Sequence, residues 1–347
     1  MNKRGFTLPE MLIAMFIALI IGMAGYSLFQ NTSRTYTVQQ DIVEEQQNLR
    51  MAMERISKDI RHAGFGLPDM SFLLTIGGQS FTAPFMVSNG TSTTSDSITV
   101  VGIGYDGSML VTNVGSVVCS NGYGCNNSAA NCLCLGNVDS LFDSSSHAFL
   151  PDRKYISIGG EAFQQLDTTG HDYANKMVRL APPATLARTI NSSDNTSVYI
   201  IQAIKYWIDS SGAVPVLMTQ DYTGLRGSGA QTFAENIEDM QLAYGLDGSI
   251  PPNYKRDGKV DDKNGNGVFD EKDFRFSEAG DAAIADPTTI IAVRVSLVAK
   301  ARNADNNSNI TFQLPALEDR VAGAPDHYRR RVITNVVKVR NPKIAGH

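Results

Sequence analysis

From Phe6 to Phe29 the chain runs through 24 residues whose only charge is Glu10, directly after the basic pair Lys3 and Arg4. As a helix this run spans about 36 Å, enough to cross the hydrocarbon core of a bilayer. A secretory signal has an apolar region of only about 7–15 residues, followed by a small-residue cleavage site, so the run is too long for one. Basic residues stay on the cytoplasmic side, which places the bulk of the chain outside the cytoplasm behind a single-pass anchor. A carboxylate near the membrane interface is costly unless it has a partner, so Glu10 stands out as a functional residue; the rival reading is a plain anchor with an incidental acid. Pro9 falls early in the helix, where its missing N–H is tolerated.

The helix is expected to continue beyond the membrane. From Val38, the apolar residues Ile42, Leu49, Ala52, Met53, Ile56, Ile60 and Ala63 recur at helical spacing. Glu44, Glu45, Gln47, Glu54, Lys58 and Asp59 occupy the other face. Gly64 and Gly66, with Pro68 just beyond, stop it. Such a stripe faces a core, so residues 6–29 read as the membrane segment, 30–66 as its amphipathic continuation, and 67–347 as a globular head. In the head, β-rich runs alternate with Gly, Ser and Asn clusters. Ser97–Val101, Tyr155–Ile158, Val198–Ile208, Ile290–Val298 and Arg331–Val339 are the strand candidates, and Ala234–Leu242 fits a strand or a short helix.

Composition sets limits on function. Hydrophobic residues at 42% and charged residues at 19% fit a folded chain, and a net charge of -5 offers no footprint for nucleic acid. Arg329, Arg330, Arg331, Lys338 and Arg340 sit in a strand-like pattern and read as a solvated sheet face. Gly102, Gly104 and Gly107 spell a G-x-G-x-x-G, but no helix opens after them as dinucleotide binding requires, so they read as turn glycines. His62, His147, His171, His327 and His347 show no metal spacing, and nothing resembles a nucleophile–base pair; the chain reads as non-enzymatic.

Two loops carry site chemistry. All four cysteines, Cys119, Cys125, Cys132 and Cys134, fall within residues 119–134, a stretch rich in Asn, Gly and Ser. Apolar burial cannot order such a loop, whereas two disulfides formed in an oxidising compartment can; their pairing is left open. Zinc is the alternative, but the C-x5-C-x6-C-x-C spacing lacks paired C-x2-C knuckles. The second loop, Asp262–Asp273, reads DKNGNGVFDEKD and follows the twelve-residue calcium-loop pattern. Asp262, Asn264 and Asn266 supply side-chain oxygens at positions one, three and five, Gly267 the sharp turn, Val268 a carbonyl, and Asp270 position nine. Asp273 replaces the usual glutamate at position twelve, and the flanks do not read as two helices. The low carboxylate count predicts weak Ca2+ binding, roughly 10⁻⁴–10⁻³ M.

Residues 3–10, KRGFTLPE, closely resemble the prepilin peptidase site of type IV pilins and of type II secretion pseudopilins. Asn48–Gly66, Ala234–Asp247 and Tyr328–Asn341 resemble the corresponding parts of the PilW family of minor pilins. The resemblance implies a leader at residues 1–5 cut after Gly5, where a side chain would obstruct the peptidase, and an N-methylated Phe6. It implies that Glu10 meets the amino group of a neighbouring subunit during assembly. The implied fold is α+β: a long N-terminal pilin helix, transmembrane in its first half, packed on a large antiparallel β-rich head. The implied function is that of a minor pilin that initiates or caps the pilus. Its partners would be other minor pilins, the major pilin, the prepilin peptidase and the inner-membrane assembly platform. The head would be periplasmic at first and extracellular once in the pilus. A head of about 280 residues has a radius of gyration near 19 Å, which would crowd every position of a thin filament and suits a few copies at its tip. A type II secretion pseudopilin and a tip adhesin are the alternatives.

Overall fold

The computed structural model describes residues 8–65, 67, 74–76, 78–88, 90–103, 112–113, 132–158, 162–174, 176–181, 197–224, 229–248, 257–263, 265, 271–275, 289–305 and 309–339. Among the described residues one α-helix, α1 (Leu8–His62), leads into fifteen strands. In chain order these are β1 (Leu74–Ile76), β2 (Gln79–Phe81), β3 (Phe85–Ser88), β4 (Ser97–Ile103), β5 (Thr112–Asn113), β6 (Cys132–Cys134), β7 (Tyr155–Ile158) and β8 (Ala162–Gln165). They continue as β9 (Met177–Arg179), β10 (Ser197–Asp209), β11 (Val216–Asp221), β12 (Gly229–Glu235), β13 (Ile237–Leu246), β14 (Ile290–Lys300) and β15 (Arg330–Lys338). The fold is therefore α+β, a long helix followed by antiparallel sheets.

At 55 residues α1 is about 82 Å long. Its two halves have different surroundings. From Leu8 to Phe29 every large apolar side chain is between 51% and 76% exposed. Buried positions begin at Glu45 and continue as Leu49, Ala52, Met53, Ile56, Ser57, Asp59 and Ile60. The apolar members recur at three- and four-residue steps, so they line one side of the helix. Between the halves, the hydroxyls of Thr32, Thr35 and Thr37 donate to the carbonyls of Leu28, Asn31 and Ser33 one turn earlier. The helix ends where Gly64 takes a left-handed φ of 75° and its N–H turns to the carbonyl of Val101 in β4, 3.0 Å away.

Two sheets share the buried half of α1. The larger runs β12-β11-β10-β4-β3, with β5 and β7 also pairing with β10 and β8 with β7. The smaller runs β13-β14-β15. Leu49, Met53, Ile56 and Ile60 fill the seam between them, against Val100, Tyr206, Ala234, Met240, Val293, Val295 and Leu297. The chain passes from one sheet to the other at Asn236, whose φ of 62° is a left-handed conformation that Asn tolerates well. Ala234–Leu242 is thus strand on both sides of a one-residue corner, and the helical alternative is excluded. The Asn48 amide holds that corner by donating to the Glu235 carbonyl at 3.1 Å.

Two expectations are corrected. Gly102 is not a turn glycine: it lies inside β4, bridged to Ala63, and a Cβ there would collide with the His62 carbonyl oxygen. It permits the helix end to seat on the sheet. Gly104 and Gly107 lie outside the described residues. Arg330 is not solvated either, being 6% exposed and bound to Glu238 and Asp326 at 2.6 Å each. Arg331 and Lys338 on the same strand are exposed, as expected.

Candidate assembly helix and loop sites

The exposed half of α1 presents apolar residues around its whole circumference, and no described residue of the head packs on it. Glu10 lies exposed in its first turns, at the end farthest from the head. The cleavage residues Gly5 and Phe6 fall outside the described residues. In water this surface would be untenable; in a bilayer or a bundle of similar helices it is the surface expected. Where the helix meets the head, Ser33, Thr37, Asp41, Glu45, Asn303 and Arg329 line a polar groove. The Asn303 amide donates to Asp41 at 3.1 Å, and Arg329 pairs with Asp305 at 2.5 Å. Burial raises the Glu45 carboxyl above its ordinary value, opposed by nearby Arg331.

A buried polar contact locks the helix to the larger sheet. The Tyr206 hydroxyl donates to Asp59 at 2.5 Å, and Arg55 approaches the same carboxylate at 3.4 Å. Burial pushes Asp59 upward, and burial together with the Asp59 charge pushes the Tyr206 phenol well above its usual range. Sequence reading placed Asp59 on the solvent face; only the fold shows that β10 brings Tyr206 beneath it.

The loop at 262–273 is anchored on the face of β13 and β14 turned away from α1. Before the loop, the Asp247 carboxylate accepts the N–H groups of Asp257 and Gly258, at 3.0 and 2.8 Å, and Asp261 donates to the Leu246 carbonyl at 2.7 Å. After it, Arg275 exchanges two backbone hydrogen bonds with Tyr244, at 2.7 and 2.9 Å. Val260 and Phe274 pack on Ala243 and Ala292. Gly245 makes room, since a Cβ there would stand 2.7 Å from Val260. The ends of the loop meet: the Lys263 N–H donates to Asp273 at 3.1 Å, while Asp262 accepts the Gly265 N–H at 2.6 Å. The backbone of position two is therefore bound to the carboxylate of position twelve, and Asp273 is buried at 2% exposure. Asn264, Asn266, Val268 and Asp270 lie outside the described residues. Among the described residues no three His, Cys, Asp or Glu side chains form a metal-holding group.

Of the cysteines, Cys134 is buried in β6 and disulfide-bonded. Cys119, Cys125 and the side chain of Cys132 lie outside the described residues. The histidines make local contacts: His147 stacks on Tyr173 with ring centres 4.0 Å apart, and His171 lies 4.1 Å from Phe149.

Comparison with known proteins identifies two segments. Residues 205–341, from the middle of β10 through β15, match the family described as type IV pilus-assembly protein W. Residues 1–26 match the prokaryotic N-terminal methylation motif. No match was found among curated proteins or solved structures. The methylation motif thus falls on the start of the exposed helix and the family match on the sheet that seats its buried half, and in these features the chain matches a PilW-type pilin with a prepilin signal.

Proposed function

We propose that this protein is a minor pilin that helps initiate or cap a type IV pilus and sits at or near its tip. The observation that carries the reading is the division of α1: an apolar half on which no described residue of the head packs, and a half whose apolar side is buried against strands that match PilW. The first half would insert in the inner membrane, N-terminus in the cytoplasm, and later pack among the helices of other pilins. Cleavage after Gly5 would expose the amino group of Phe6, and Glu10 would receive the amino group of a neighbouring subunit. The family is structural rather than catalytic, and the head adds bulk suited to a low-copy position.

Two loop features accompany this role. Calcium at Asp262, Asn264, Asn266, Val268, Asp270 and Asp273 would brace a loop already fixed at both ends. Disulfides among Cys119, Cys125, Cys132 and Cys134 would order the 119–134 stretch outside the cytoplasm, and non-reducing peptide mapping identifies their pairing. The test of the role is affinity capture of the tagged protein from sheared pili. Co-purification of other minor pilins at a copy number far below the major pilin supports it. Absence from pili, or a copy number equal to the major subunit, refutes it.

A further inference from the structure

β15 ends the smaller sheet: among the described residues it pairs with β14 and with no other strand. Its nine residues, Arg330 to Lys338, pair with β14 without a bulge. Just beyond each end of the ladder and in the same register, the Ala301 N–H donates to the Arg329 carbonyl at 2.8 Å, and the Val339 N–H to the Ile291 carbonyl at 2.9 Å. Hydrogen-bonded and non-hydrogen-bonded pairs alternate along an antiparallel ladder. Odd-numbered residues of β15 therefore turn their N–H and C=O groups toward β14, and Val332, Thr334 and Val336 turn theirs outward. All three residues are exposed, Val332 at 39% and Val336 at 42%. Open edges are commonly blunted by proline, charge or a bulge. Between Arg331 and Lys338 the strand has none of these, so its edge is open to another strand.

The space beside that edge is charged on one side. The odd-numbered side chains face the helix: Ile333 packs against the seam core, and the Asn335 amide donates to Ser57 Oγ at 3.2 Å. Next to them lies a groove of about 470 Å³, lined by Arg50, Glu54, Lys58 and Arg61 of α1 with Ile333 and Asn335 of β15. The four helix positions recur at steps of four, four and three, so they form one stripe along α1. Arg50 and Arg61 are exposed and form no ion pair among the described residues. Arg50, Lys58 and Arg61 against Glu54 alone leave the groove positive. A strand added to β15 would lie about 4.8 Å beyond it, with its α1-facing side chains in this groove.

We propose that the outer edge of β15 accepts an extended segment of a partner protein, with acidic side chains toward α1 and β-branched apolar side chains on the opposite face. Main-chain hydrogen bonds to Val332, Thr334 and Val336 hold the segment. Its acids meet Arg50, Lys58 and Arg61, and its apolar side chains lie along Val332 and Val336. Exposed ion pairs add little affinity singly, so the charges select the strand while the backbone binds it. A second copy of β15 is a poor occupant, because it would bring its own Arg331 and α1 to the same side, base against base. The proposal goes beyond the pilus role and does not depend on it.

The test uses the full chain in detergent. The probe is a disulfide-closed β-hairpin whose outer strand alternates valine with glutamate, already extended so that little ordering cost remains. Fluorescence anisotropy of the labelled hairpin should show saturable binding at submillimolar concentration, at least about tenfold weaker when lysine replaces glutamate. In residue-resolved hydrogen exchange the hairpin should slow the amides of Val332, Thr334 and Val336. Those of Ile333 and Asn335, already bonded to β14, should not change. Arg50→Glu combined with Arg61→Glu should reverse the preference toward the lysine hairpin. Val336→Pro, which removes no hydrogen bond to β14, should abolish binding of the glutamate hairpin. No binding, equal binding of the two hairpins, or binding that leaves the three amides unprotected overturns the proposal. These outcomes are read on the unaltered chain, so they do not depend on how the variants fold. None of them bears on the pilus role, which capture from sheared pili tests separately.

Discussion

Removing residues 1–66, as a boundary drawn at the end of the helix suggests, should unfold the head rather than release it. Leu49, Met53, Ile56 and Ile60 are each no more than 5% exposed, and they fill the seam between the two sheets. Burying a side chain of this size contributes about 1.5–3 kcal/mol, so the four together contribute about 6–12 kcal/mol. A domain of this kind has a total stability of about 5–15 kcal/mol. The truncation also bares the sheet surface beneath the helix and removes the Asp59–Tyr206 contact. A fragment of residues 31–347 keeps all of this and loses only the exposed apolar half. Circular dichroism melts and urea titrations of fragments 31–347 and 67–347 make the comparison. The longer fragment should unfold in one cooperative transition, and the shorter should show no cooperative transition or aggregate. A cooperative melt of 67–347 at the same temperature would show that the helix is an attachment to the head and not part of its core.

The remaining expectations are these. Because the Asp96 carboxyl lies near 7 in the folded chain against an ordinary 3.8, folding takes up a proton between those values, so stability falls as pH rises from about 4 to 7. The loss from Asp96 alone is about 4 kcal/mol at most. Burial raises Asp59 and Asp221 in the same direction. Urea midpoints at pH 5 and pH 8 in chelator check this, and a midpoint that stays level or rises would contradict it. For the loop at 262–273, calcium should raise the melting temperature of the full chain, and Asp262→Ala should abolish that rise; an unchanged rise would exclude calcium at this loop. Glu10→Ala should leave membrane insertion intact, since it removes a charge from an apolar segment, yet sharply reduce incorporation into pili. Immunoblots of membrane and sheared-pilus fractions separate the two effects, and normal incorporation would make Glu10 dispensable.

Much of the architecture is legible from local pattern. Leu49, Ala52, Met53, Ile56, Ile60 and Ala63 mark the buried side of α1 by spacing, and Gly64 marks its end with the left-handed turn that glycine accommodates. The strand candidates fall on β4, β7, β10, β14 and β15, where β-branched residues run between turn residues. Ala234–Leu242 was ambiguous because its apolar spacing is interrupted at Asn236, which serves as a corner between sheets. Gly102 was misread because the need for a missing side chain arises from His62, forty residues earlier in the chain. The burial of Asp239 and Gln241 is invisible in the sequence for the same reason. Their polarity on alternate positions of β13 looks like a solvent face until the 310–326 segment is seen to cover it. Local sequence signals carry periodicity and turns; they do not carry which distant segment closes over a face.

The central claim is that this chain is processed and assembled as a pilin, and the N-terminal peptide of the protein recovered from pili tests it most directly. Mass spectrometry should find that peptide beginning at N-methylated Phe6, with residues 1–5 removed. A peptide beginning at Met1, or one generated by cleavage within or after the apolar run, would contradict the account.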